Sequence, residues 1–161
     1  MYLYAKLFFL CLAMASVAMA QVAVVETRSD SDAVKEILAL EKGAMEQWCK
    51  GDVEKYLQNS SDEVTYFDPF TAKRLNGRSD LSKLYRSFAG LFHFDRFEFL
   101  DPKVQLSGDV AVLTYNLVTY VGSKEDRWNA TMVYQKVEGK WKIIHTHMSL
   151  TQPELVKKSQ N

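Results

Sequence analysis

The stretch Arg127 to Ser149, RWNATMVYQKVEGKWKIIHTHMS, admits few folds. Two long runs flank Glu138-Gly139, a two-residue hairpin signal, so the spacing predicts two antiparallel strands closing a curved sheet. Strict alternation along the second strand places Trp141, Ile143, His145, His147 and Ser149 on one face. Lys142, Ile144, Thr146 and Met148 then share the other. Two histidines point the same way.

The run Val110 to Val121 enlarges that sheet. Ala111, Leu113, Tyr115 and Leu117 occupy one face and Val112, Val118 and Tyr120 the other, whereas a strand covered on one side alternates more cleanly with polar residues. Both faces are therefore expected to be buried, one under helices and the other against a second subunit. Arg96 to Leu106, interrupted at Asp101-Pro102, reads as a bent edge strand. Gly108-Asp109 and Gly122 to Asp126 read as turns.

Upstream of residue 96 the pattern is mostly helical. From Asp32, the residues Val34, Ile37, Leu38, Met45, Trp48 and Cys49 recur at three- and four-residue steps, with Lys35, Glu36, Lys42 and Glu46 opposite. Gly43 suggests close approach of another element, and Gly51 a C-terminal cap. Asp52 is placed as the cap of a shorter helix carrying Val53, Tyr56 and Leu57. Asn59 to Asp62 reads as a turn, and Val64 to Asp68 as a short strand stopped by Pro69. A third helix, with Ser79 as its cap, buries Leu81, Leu84, Tyr85, Phe88, Leu91 and Phe92. Helices first and a meander of strands afterwards predict an α+β domain, helices packed on one face of a mostly antiparallel sheet.

The first twenty residues stand apart. Lys6, the apolar run Leu7 to Ala15 and the small-x-small Ala18-Met19-Ala20 read as a secretory signal peptide cleaved before Gln21, too short for a spanning helix. The expected plan is a signal over 1–20, a flexible segment over 21–31, the domain over 32–152 and a solvated tail over 153–161. The mature protein is expected in the periplasm or secreted, without a membrane anchor. Lys6 leaves with the signal, so 19 basic residues face 20 acidic ones. No one-signed block remains, which argues against a nucleic-acid partner. Cys49 is then the only cysteine, read as a buried packing residue, and no disulfide is possible. Asn59-Ser60-Ser61 and Asn129-Ala130-Thr131 match the glycosylation pattern, which short sequences meet by chance.

KGDVEKYL (Lys50 to Leu57), VTYFDPF (Val64 to Phe70) and EGKWKIIHTHMS (Glu138 to Ser149), in this order of elements, carry a resemblance. From about Asp32 to Ser149 the chain resembles the nuclear-transport-factor-2-like (cystatin-like) superfamily, a cone-shaped α+β fold with three N-terminal helices on a curved sheet. Within it the likeness is to SnoaL-like proteins and to the association (hub) domain of calcium/calmodulin-dependent protein kinase II. The resemblance implies self-assembly into a homodimer or larger ring and a pocket between helices and sheet. It implies no kinase activity and no cofactor. In the kinase hub that pocket holds a tyrosine, a histidine and three arginines that bind small carboxylates. Alignment retains the tyrosine as Tyr56, puts the histidine near Leu81, and puts the arginines on Leu117, Met132 and Met148; Tyr85 completes the expected set. With its basic clamp replaced by apolar residues, such a pocket implies an apolar or weakly polar ligand.

Three functional readings follow. The first is a non-catalytic, exported, oligomeric binder of a small molecule. The second is a SnoaL-like isomerase, dehydratase or hydrolase, with Asp68 as general base and Tyr66 or Tyr56 stabilising an oxyanion, as ketosteroid isomerase uses an aspartate on this fold. The third is a structural assembly domain. His145 and His147 are two metal ligands at most, short of the three or four a site needs, so no metal is expected. Alignment turns both histidines away from the pocket; a register shift of one residue would make them its acid and base. His93 reads as a helix-end residue and Arg127 as a surface or interface charge.

Overall fold

The computed structural model describes residues 30–90 and 93–151. It divides into two compact units, Met1–Glu36 and Ile37–Asn161. In the first, the described residues 30–36 are helical, so the helix starts two residues before Asp32 and includes part of the segment expected to be flexible. The expected signal peptide, residues Leu91 and Phe92, and the tail from Pro153 lie outside the described residues.

In the second unit, helix α1 (residues 30–48) continues and presents Ile37, Glu41, Ala44 and Met45 as its buried stripe. Gly51 (φ 82°) ends the helical path, its N–H donating to Trp48 O at 2.9 Å while Asp52 N–H donates to Gln47 O at 3.0 Å. Three local expectations are corrected here. A Cβ on Gly43 would meet nothing within 4 Å, so no element approaches it closely. Cys49 is half-buried, because it lies past the last helical turn. Asp52 accepts the Glu54 N–H at 2.9 Å from just before the short helix α2 (Glu54–Asn59), whose N-cap is Val53.

Asn59 to Asp62 is not a turn, because α2 passes directly into strand β1 (Ser60–Phe67). The buried Ser60 hydroxyl donates back to Tyr56 O at 2.8 Å, closing the helix end without an intervening loop. A two-residue strand β2 (Leu75–Asn76) pairs antiparallel with β1, and helix α3 (Arg78–Phe88) follows. Its N-cap is Gly77 (φ 83°) rather than Ser79, with Gly77 N–H tied to Val64 O at 2.7 Å. The backbone there needs the left-handed region, and a Cβ would sit 3.3 Å from Asp62 O.

Strands β3 (Arg96–Ser107), β4 (Val110–Val121), β5 (Lys124–Val137) and β6 (Lys140–Leu150) form the meander, and the six-stranded sheet runs β2-β1-β6-β5-β4-β3. Among the described residues only β1 and β6 pair in parallel. The β5–β6 turn has φ 51° at Glu138 and 77° at Gly139, both in the region such tight hairpins require. On edge strand β3 the register shifts between Leu100 and Lys103, where Asp101 takes φ 47° and Pro102 needs no ladder hydrogen bond. Among the described residues no helix is long and apolar enough to cross a membrane.

The alternation expected along β6 fails at one point. Tyr134 pairs with Ile143 but Val133 pairs with His145, leaving Ile144 as an extra residue. The bulge reverses the faces, so Trp141 and Ile143 share the helix-covered face with Thr146 and Met148, while His145 and His147 lie on the opposite face.

Candidate ligand cavity

Helix α1 lies against the sheet through a charged side chain. Glu41 is fully buried, one turn from Ile37 and one turn from Met45. Three hydroxyls converge on its carboxylate: Tyr56 and Tyr115 donate to Oε1 at 2.8 and 2.6 Å, and Tyr134 donates to Oε2 at 2.7 Å. Burial pushes the Glu41 carboxyl up from its ordinary 4.5, and the three hydrogen bonds pull it back. The three phenols are held well above 10, first by burial and then by the carboxylate they face.

A cavity of about 580 Å³ opens beside this cluster, between the helices and the sheet. From the helices come Met45 and Trp48 of α1, Tyr56 of α2, and Tyr85 and Phe88 of α3. The sheet supplies Tyr66 of β1, Tyr115, Leu117 and Thr119 of β4, Trp128 and Met132 of β5, and Thr146, Met148 and Leu150 of β6. Asp68, Phe70, Phe94, Lys124 and Asp126 complete it. Two rings stand nearly at right angles to Tyr85: Trp48 lies 4.8 Å from it at 79°, and Tyr66 lies 5.6 Å from it at 88°.

A second hydrogen-bonded group lies in this corner. Tyr66 Oη donates to Asp68 Oδ2 at 3.1 Å, while Asp68 Oδ1 accepts the backbone N–H groups of Phe70 and Thr71 at 2.9 and 2.7 Å. Burial, the largest cause, raises the phenols of Tyr66 and Tyr85, with nearby Tyr85 and Asp68 acting on Tyr66 and Glu41 on Tyr85. Lys124 pairs with Asp126 at 3.1 Å.

Of the residues singled out in the sequence, Tyr56, Tyr66, Asp68, Tyr85, Leu117, Met132 and Met148 line the cavity. Leu81 does not. It is buried, one turn before Tyr85 on α3, but does not reach the cavity wall. His145 and His147 lie on the other face, beside Phe67 at 6.1 and 5.8 Å. His145 Nδ1 is 2.8 Å from Thr65 Oγ1, and burial, His147 and Arg74 hold its imidazole below the ordinary 6.5. Sequence reasoning missed Glu41. Its signal was the spacing: it falls four residues after Ile37 and four before Met45, a charged residue inside an apolar stripe.

Comparison with known proteins matches the family model of the SnoaL-like domain to residues 37–153. A crystal structure of a candidate ketosteroid isomerase from Parabacteroides distasonis is 35% identical, with 73% of this chain and 87% of that one covered at a TM-score of 0.67. The calcium/calmodulin-dependent protein kinase II hub homology domain of Chlamydomonas reinhardtii is 25% identical over 74% of this chain and 99% of its own, with a TM-score of 0.61. An uncharacterised Caulobacter vibrioides protein with a cystatin-like fold, 16% identical over 78% and 94% at a TM-score of 0.67, matches in fold alone. No curated protein matches.

Proposed function

This chain belongs to the SnoaL-like domain family, and from that premise we propose that it is a non-catalytic binder of a small, largely apolar molecule held in the cavity between helices and sheet. One observation carries the reading: the walls are aromatic and aliphatic, and three of the tyrosine hydroxyls that reach them, those of Tyr56, Tyr66 and Tyr115, already donate to partners within the protein. An oxyanion needs donors free to meet developing charge. Tyr56 and Tyr66, the expected donors, are directed at Glu41 and Asp68 instead. The lining also has no arginine at Leu117, Met132 or Met148, which suits an apolar guest better than a carboxylate.

The proposal includes export, supported by the pattern of residues 1–20, and self-association. Supporting self-association are the likeness to a kinase hub homology domain and the half-buried Val112 and Val133 paired on the outer sheet face.

A second reading, proton transfer by Asp68, is favoured by the closeness of Tyr66 and Asp68 inside an apolar cavity and by the likeness to a candidate ketosteroid isomerase. One preparation of the full chain tests both. Titration with the neutral dye N-phenylnaphthylamine should give saturable dye emission and quench the cavity tryptophans, Trp48 and Trp128. A flat titration sinks the binder. A β,γ-unsaturated 3-ketosteroid should be left unconverted, whereas isomerisation that Asp68→Asn abolishes would establish the enzyme.

A further inference from the structure

Four tyrosines reach the cavity, and the direction of their protons sets what they can offer a guest. Tyr56 and Tyr115 donate to Glu41 and Tyr66 donates to Asp68. Each oxygen keeps a lone pair. These hydroxyls therefore meet a guest as acceptors, and Asp68, acceptor-only and without a cationic partner among the salt bridges of the described residues, does the same. Thr119 adds little donor capacity, since its hydroxyl lies 3.5 Å from Asp126 O.

The charge points the same way. Lys124 is the cation of the lining and is paired with Asp126, which leaves Asp68 as excess acid, with Glu41 behind the wall. Beside Asp68, the perpendicular rings of Trp48, Tyr85 and Tyr66 form a corner whose π-faces carry negative charge density. The remaining lining, with Met132, Met148 and Leu117, is apolar and takes a hydrocarbon or aryl body.

We infer that the cavity selects a protonated arylalkyl amine, its ammonium group in the Trp48–Tyr85–Tyr66 corner donating to Asp68 and its apolar body against the methionine-lined sheet. This rests on the cavity being a binding site, as proposed above, and reverses the polarity of a carboxylate clamp.

Three probes of similar size and different charge separate the ideas, titrated into the full chain and followed by ligand-detected nuclear magnetic resonance: phenethylammonium, neutral propylbenzene and anionic phenylacetate. Phenethylammonium should bind about tenfold or more tighter than propylbenzene, the scale of a desolvated cation–π contact with a charged acceptor, and phenylacetate should not bind. Asp68→Asn keeps an oxygen for the turn amides and should remove that preference, lowering phenethylammonium affinity to about that of propylbenzene. Propylbenzene binding as tightly as the amine, or phenylacetate binding tightest, overturns the selection for a cation and leaves a ligand cavity standing. If none of the three binds and the neutral dye also fails, the inference and the binding function fall together.

Discussion

The two faces of the sheet handle polar groups in opposite ways. On the helix-covered face, Ala111, Leu113, Ala130 and Ile143 are buried, and the polar exceptions are drawn into closed hydrogen-bond groups around Glu41 and Asp68. On the outer face, polar groups meet in pairs at the surface: Asn116 with Asn129 at 2.8 Å, Thr65 with His145, and Arg96 with Glu98 at 2.6 Å. Val118 shows the difference. It lies on the outer face, yet only 1% of it is exposed, because its cross-strand neighbours Glu98 and Arg127 and the Arg96–Tyr120 stack flank it. Part of what two-sided apolarity suggested about a second subunit is thus met by long side chains of the same chain. A buried polar group must find every partner indoors, while a surface group shares the task with water.

The largest consequence concerns Glu41. Glu41→Ala leaves three hydroxyls without their acceptor in a dry interior, so urea denaturation should show a loss of about 3–5 kcal/mol, or no cooperative transition. Asn129→Ala on the outer face leaves Asn116 exposed to water and should cost about 1 kcal/mol or less. Equal losses would erase the distinction between the faces.

A smaller effect should have opposite signs on the two faces. The folded state holds the Glu41 carboxyl above 4.5, so between 4.5 and the raised value it carries more protons than the unfolded chain, and stability falls as pH rises. The folded state holds His145 below 6.5, so between the lowered value and 6.5 the unfolded chain carries more protons, and stability falls as pH drops. Denaturation midpoints of wild type against Glu41→Gln should therefore diverge in favour of the variant as pH rises above 4.5. Against His145→Gln they should shift in favour of wild type as pH rises toward 6.5. Parallel curves for either pair would remove that residue from the pH response.

Much of the fold was legible because hairpins have local signals. Glu138-Gly139 and Gly108-Asp109 fixed the ends of β4 to β6, and Asp101-Pro102 marked the bulge on the edge strand. Cavity residues on regular alternation, such as Leu117 and Met132, were also accessible. The hidden parts depend on distant partners. Glu41 is stabilised by hydroxyls 15, 74 and 93 residues away, which no local window contains. The β6 bulge at Ile144 is set by pairing with β5 and by nothing in its own composition, so strict alternation misplaced Trp141 and Ile143 relative to Thr146. Strand β1 starts at Ser60, before the expected Val64, although Asn59 to Asp62 has turn chemistry. Here Asn59 is buried and its amide reaches Leu40 O at 3.5 Å, tying the segment to α1.

The smallest expected effect tests where the bulge leaves the histidines. His147 is exposed on the outer face and meets Phe67, itself 39% exposed, at 5.8 Å. Its neighbour Met148 points the other way, into the cavity. His147→Gln should therefore change stability by about 0.5 kcal/mol or less and leave dye affinity within about twofold. Met148→Gln places an amide among the cavity's apolar side chains and should weaken the dye more than His147→Gln does. If the order were reversed, the β5–β6 register on which both faces depend would be wrong, and His145 and His147 would return as acid–base groups of the cavity.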